Sequence, residues 1–264
     1  MDIFDDEINI IEYFQTVEDK KVLLLSQNIE LAEKIYQLVH DKIEWQKWTN
    51  SSAKNATPPD FYCTSEQLMM DIMRVDDHES ISKKGKVVNP TRVRESEMMK
   101  ELKDLGIFET FPNVKPIVIA KTDLPTEQDH NYIQYRDCFN RTVRKHIDKI
   151  LSYKKNHPGF NTIFLVYDES SAYFEAKSKP LQIKRGEICV GKPHLWFLDA
   201  DFVKAFIDSD IDYLIWYTPY KHSQIYDSVL GNNIELPIVT VIDVKNYKQK
   251  PINYKTSLMI STEV

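Results

Sequence analysis

The stretch Pro59-Asp60-Phe61-Tyr62-Cys63-Thr64-Ser65-Glu66-Gln67-Leu68-Met69-Met70-Asp71-Ile72-Met73-Arg74-Val75 constrains the fold more than any other part of the chain. Two apolar runs flank a polar tetrad, Thr64 to Gln67, which reads as a turn. A hairpin closed by that tetrad sets Cys63 against Leu68, Tyr62 against Met69, Phe61 against Met70 and Asp60 against Asp71. Directly opposed residues on antiparallel strands hold their Cβ atoms about 5 Å apart, and like charges there repel. A folded chain keeps such a pair only where water solvates it, a proton is shared, or a cation lies between the carboxylates. The same residues also have a purely structural use. Asp60 then opens a strand after a proline, and Asp71 is a solvated or hydrogen-bonded acid on a half-exposed face.

Around this hairpin the pattern is that of a mixed α/β sheet flanked by helices. Ile8, Ile11 and Phe14 fall at helical spacing within residues 5–16. Val22 to Leu25 is an apolar tetrad too short to separate strand from helix. Ser26 or Asn28 caps an amphipathic helix whose apolar stripe is Leu31, Ala32, Ile35, Leu38 and Val39. Thr91 caps a helix to about Leu105, with Gly106 as its stop. Ile117 to Ala120 reads as a buried strand, and a long helix spans Tyr132 to Lys154. Thr162 to Tyr167, Tyr213 to Tyr217 and Ile238 to Ile242 read as strands. Asp199 or Asp201 caps a helix to about Ile207. Loose alternation of helices and strands, with at least one hairpin, predicts a central mixed sheet. No linker, repeat or low-complexity tract divides residues 1–264, so the expectation is a single domain.

Composition narrows the function classes. The net charge of −6 argues against a protein coated in basic surface, without excluding a local basic groove. Cys63, Cys138 and Cys189 lie far apart and in no metal-ligand spacing, which predicts neither a zinc finger nor a disulfide framework and favours the reducing cytoplasm. No apolar run approaches the 18 or so residues of a membrane span. The glycines form no GxGxxG or GxxxxGK[ST] loop, and HExxH and GxSxG are absent.

The order helix, hairpin strands bearing Asp60 and Asp71, helix, strand resembles the core of the PD-(D/E)XK, or restriction-endonuclease-like, superfamily. The resemblance covers roughly residues 28–121, with 122–264 completing the sheet. It is carried by Pro59-Asp60 and by Leu68-Met69-Met70-Asp71-Ile72-Met73. It implies that Asp60 and Asp71 hold Mg²⁺ and that Glu30 or Glu33 supplies an acid from the preceding helix. It also implies a nucleic-acid substrate. The family's lysine stands two residues after the second acid, and here that position is Met73. Arg74 points to the other face, because strand side chains alternate. Lys83, Lys84, Lys86 and Lys121 are the candidates to replace it.

Other clusters have structural readings. Glu175-Ala176-Lys177 has the E-x-K spacing, but a tight turn over Asp168-Glu169-Ser170-Ser171 pairs Glu175 with a residue near Phe164 or Leu165, far from Asp168. Lys83, Lys84, Lys86, Arg92 and Arg94 form the densest positive patch, able to follow a phosphate backbone or simply to be solvated. Arg136, Arg141, Arg144, Lys145 and Lys149 read as a solvated helix face. His194 and Trp196 read as core, and Tyr220 and His222 as candidates to line a cleft. Two functions follow as expectations. One is a nuclease-like, possible Mg²⁺-dependent phosphodiesterase, degenerate at Met73. The alternative is a non-enzymatic α/β binding or scaffold protein.

Overall fold

The computed structural model of the chain describes residues 7–18, 21–51, 59–78, 80–81, 86–111, 130–178, 191–221, 224–227 and 231–262. Its strands are β1 (Val22–Leu25), β2 (Thr49–Asn50), β3 (Phe61–Cys63), β4 (Leu68–Val75), β5 (Ser80–Ile81), β6 (Val87–Val88), β7 (Asn161–Asp168), β8 (Tyr173–Ala176), β9 (Gly191–Pro193), β10 (Tyr213–Tyr217), β11 (Gln224–Asp227), β12 (Asn232–Glu235), β13 (Val239–Asp243) and β14 (Met259–Ser261). Its α-helices are α1 (Glu7–Phe14), α2 (Ile29–His40), α3 (Lys42–Trp45), α4 (Pro90–Asp104), α5 (Ile107–Thr110), α6 (Tyr132–Ile147), α7 (Ile150–Asn156) and α8 (Ala200–Val203).

The apolar strands make the centre of a seven-stranded mixed sheet ordered β1-β13-β10-β7-β4-β3-β2. Strands β4, β7 and β10 run parallel to one another, while β13 and β3 run antiparallel to their inner neighbours. A parallel sheet must be covered on both faces, and the alternation of side chains divides the core accordingly. Met69, Met73, Val75, Phe164, Val166, Leu214 and Trp216 belong to the face covered by α6, α7 and α8. Leu68, Met70, Ile72, Ile163, Leu165, Ile215 and Val241 belong to the face covered by α1 and α2. Phe139 of α6 stacks on Trp216, ring centroids 4.3 Å apart, and anchors the first layer.

The expected hairpin register is observed: Phe61 faces Met70, Tyr62 faces Met69 and Cys63 faces Leu68. Gln67 closes the turn in the left-handed region at φ 53°. Other expectations change. The long helix expected from Tyr132 to Lys154 is two helices, because the Lys149 amide bonds back only three residues to the His146 carbonyl, tightening the chain into a turn. The helix capped by Asp199 ends at Val203, short of Ile207. Strand β8 does not fold back on β7. It pairs with β9 and β14 in a separate three-stranded sheet, so Glu175 faces Met259 and Lys192 rather than Phe164 or Leu165. The strand expected at Ile117 to Ala120 lies outside the described residues, as do Lys83, Lys84, Lys121, Cys189 and His222.

Candidate functional site

Asp60 stands one residue before β3 and Asp71 in the middle of β4. Extending the hairpin register by one step sets them opposite each other. Both turn to the face covered by α6 and α7. The Ile72 amide donates to Asp60 Oδ2 at 2.8 Å. The Tyr153 hydroxyl of α7 donates to Asp71 Oδ2 at 2.5 Å, and His146 Nδ1 of α6 meets the same oxygen. Asp60 and Asp71 also hydrogen-bond each other, and two carboxylates in contact cannot both ionise freely. Burial, then the charge of Asp71, raises the Asp60 carboxyl to about 8. Burial also acts to raise Asp71, but the hydrogen bond and charge of His146 outweigh it, and its carboxyl lies below the usual range. Of the three ways to keep opposed acids, burial sets aside solvation and leaves the shared proton and the cation. Asp71 is 3% exposed, so water does not solvate it.

The other residues expected at this site are not brought to it. Glu30 and Glu33 are exposed on α2, whose buried side chains pack on the opposite face of the sheet. Glu30 and Glu33 are therefore not the helical acid of the pair, whereas the charge of Glu7, at the start of α1, does act on Asp60. Met73 shares the face of Asp71 but is buried in the apolar core. Arg74 does point to the other face and clasps Glu169 with two nitrogens, at 2.8–2.9 Å.

A second group of polar residues gathers where β4, β7 and β10 end. Asp168 closes β7 and is fully buried. Its Oδ2 accepts the Tyr135 hydroxyl at 2.5 Å and the Trp216 indole N–H at 2.9 Å, and its Oδ1 accepts Ser170 Oγ at 2.6 Å. Lys221 Nζ lies 3.5 Å from that carboxylate and donates to Ser170 Oγ at 2.5 Å and to the Ser171 carbonyl at 3.0 Å. Ser170 is sealed from solvent, which makes this a satisfied structural network and not a nucleophile. Tyr220 is exposed and bonds Tyr167 at 3.1 Å.

The third group follows β4 directly. Asp77 is fully buried, and its Oδ2 takes the Tyr173 hydroxyl at 2.6 Å, Ser171 Oγ at 2.8 Å and the Ser171 amide at 3.1 Å, with His130 Nδ1 at 3.3 Å. Its Oδ1 faces two imidazoles, with His130 Nδ1 at 3.2 Å and His78 Nε2 at 3.6 Å. Burial acts to raise the Asp77 carboxyl, but the hydrogen bond and charge of His130, then His78 and Tyr173, hold it at about 2. Among the described residues, Asp77, His78 and His130 are the cluster whose donor atoms, all within 4.8 Å of one another, can hold a metal ion. The expected metal pair, Asp60 and Asp71, is not part of it.

Sequence reasoning missed Asp77, His78, His130, His146, Tyr153 and Lys221. The Asp-Asp-His run at the mouth of a buried strand was a local signal. His130, His146 and Tyr153 had none, because only the crossover from β4 to β7 brings them to their acids. No protein-family model, curated protein or solved structure matches this chain.

Proposed function

We propose that this chain is a nuclease-like α/β protein that engages nucleic acid beside the Asp60–Asp71 pair without cleaving it, a degenerate Mg²⁺-dependent phosphodiesterase. The reading rests on one observation. Asp60 and Asp71 oppose each other where β3 and β4 pair, after helix α2 and before helix α4, as in the helix, hairpin, helix order of the PD-(D/E)XK core, whose last strand, expected at Ile117 to Ala120, lies outside the described residues. Exposed Arg144, Lys145 and Lys149 neighbour His146 in sequence on α6 and the turn after it, and we take them as the basic surface that would meet phosphates. Such charge attracts phosphates in a salt-dependent way. The cytoplasm suits the buried thiols of Cys63 and Cys138.

Hydrolysis at the pair is disfavoured by its chemistry. Mg²⁺ takes oxygen ligands in a nearly ideal octahedron. One Asp71 oxygen already serves His146 and Tyr153, and the shared proton would have to leave. The Met73 thioether neither donates a hydrogen bond nor carries charge, and losing one such group costs about 10²–10³ in rate. The near-complete burial of Asp71 favours the second reading, a non-enzymatic α/β protein that binds another kind of partner.

Binding and cleavage of labelled single- and double-stranded DNA and RNA, with millimolar Mg²⁺ or Mn²⁺, test the proposal. We expect binding that weakens with salt, falls about tenfold or more in Arg144→Glu/Lys145→Glu, and is accompanied by no cleavage. No binding to any of the four would favour the second reading. Efficient cleavage that Asp60→Ala abolishes would contradict the degenerate assignment.

A further inference from the structure

The geometry points to a transition-metal site at Asp77, His78 and His130, separate from the acid pair and independent of the nuclease-like reading. Three elements build it. Asp77 and His78 leave the end of β4. His130 stands two residues before α6, whose cap residue Asn131 donates its amide to the Asp77 carbonyl at 3.4 Å. Ser171 and Tyr173, from the segment joining β7 to β8 and from β8 itself, fix the carboxylate from behind. Oδ2 carries those donors and also lies 3.3 Å from His130 Nδ1, while Oδ1 faces both imidazoles and is the oxygen left to serve an ion.

The spacing fits a small ion. Ligands held about 2.0–2.1 Å from a tetrahedral metal lie about 3.3 Å from one another. The observed separations from Oδ1 are 3.2 Å to His130 Nδ1 and 3.6 Å to His78 Nε2. The two rings are 4.6 Å apart and inclined at 62°, so they converge on the oxygen and do not stack. Neighbouring groups hold the loop as well: Asp76 accepts the His78 amide at 3.2 Å and Asn89 Nδ2 at 2.8 Å.

The donor set selects the ion. Two imidazoles and one carboxylate suit Zn²⁺, Co²⁺, Fe²⁺ or Mn²⁺, whereas Mg²⁺ and Ca²⁺ prefer oxygen alone. Three protein ligands leave at least one position for water or a ligand. The His78 and His130 side chains are 17% and 16% exposed, so that position opens toward solvent, unlike the sealed acids elsewhere in the sheet.

Co²⁺ absorption in the visible and calorimetric titration with Zn²⁺ test the site on the full chain. We expect one ion per chain. His78→Ala and His130→Ala should each weaken it by more than about 100-fold, beyond the 10–100-fold typical of removing a group behind a ligand. Tyr173→Phe should lie within that smaller range. Asp77→Asn is avoided as the primary variant because it disrupts a buried carboxylate with several donors. Circular dichroism and denaturation of the histidine variants separate loss of the ion from loss of the fold. If the wild type takes up neither Zn²⁺ nor Co²⁺ at about 100 µM, the three side chains are an ion-free hydrogen-bonded triad and the inference is overturned. The same follows if the folded His78→Ala/His130→Ala double variant binds as the wild type does.

Discussion

Buried aspartates in this chain are answered by phenols. Tyr153 donates to Asp71 at 2.5 Å, Tyr135 to Asp168 at 2.5 Å, Tyr173 to Asp77 at 2.6 Å and Tyr132 to Asp199 at 2.5 Å. Burial and the neighbouring carboxylate push each phenol above its usual range, so each stays a donor. A buried acid without such partners would be costly. Asp71 is the most heavily committed at the candidate site, serving Tyr153, His146 and the Asp60 proton. Asp71→Asn keeps the shape but turns an acceptor into an NH₂ group facing donors. We expect it to destabilise the protein by about 3 kcal/mol in urea denaturation. A variant as stable as the wild type would show that these hydrogen bonds do not support the fold.

At the scale of elements, α6 carries the polar chemistry. Tyr132, Tyr135, Phe139, Val143 and His146 recur at helical spacing and line one face. That stripe was legible in the sequence as a helix, but which acids it would meet was not. A helix pattern fixes a face and leaves its partner open. The break after Ile147 was also illegible, since no proline or glycine marks it and the residues from Asp148 onward remain good helix formers. It matters because the second segment brings Tyr153 to Asp71. Asn131 starts α6 by accepting the Ile133 and Gln134 amides at 2.8 and 3.3 Å. Asn131→Ala should cost about 1 kcal/mol of stability by denaturation. A neutral result would mean that packing of the stripe alone sets the helix start.

Over the whole molecule, the strands that could be read best from composition were β7, β10 and β13, because β-branched and aromatic runs buried on both faces have few alternatives. The hairpin register was legible because opposed apolar residues and a short polar turn leave little freedom. Sheet order was not, and it decides the site. It sends α2 with Glu30 and Glu33 to one face and Asp60 and Asp71 to the other, and it gathers Asp77, His78 and His130 at the mouth of β4. None of the helices among the described residues is long and apolar enough to cross a membrane. The central claim is that Asp60 and Asp71 share a proton in the ion-free chain. Asp60 is raised to about 8 in the fold and titrates near 4 when unfolded, so the folded state binds the extra proton between these values. Stability must then fall as pH rises from about 4 to about 8, with a slope approaching ~1.4 kcal/mol per pH unit, and level off above. Asp71, lowered in the fold, acts on the other side and withdraws stability only as pH falls below its usual range. Asp60→Asn mimics the protonated acid, donating to Asp71 and still accepting the Ile72 amide. The direct measurement is urea denaturation of the wild type and Asp60→Asn across pH 4 to 9. The account predicts that the variant lacks the fall between pH 4 and 8 and overtakes the wild type at the alkaline end. Parallel profiles for the two proteins would contradict it.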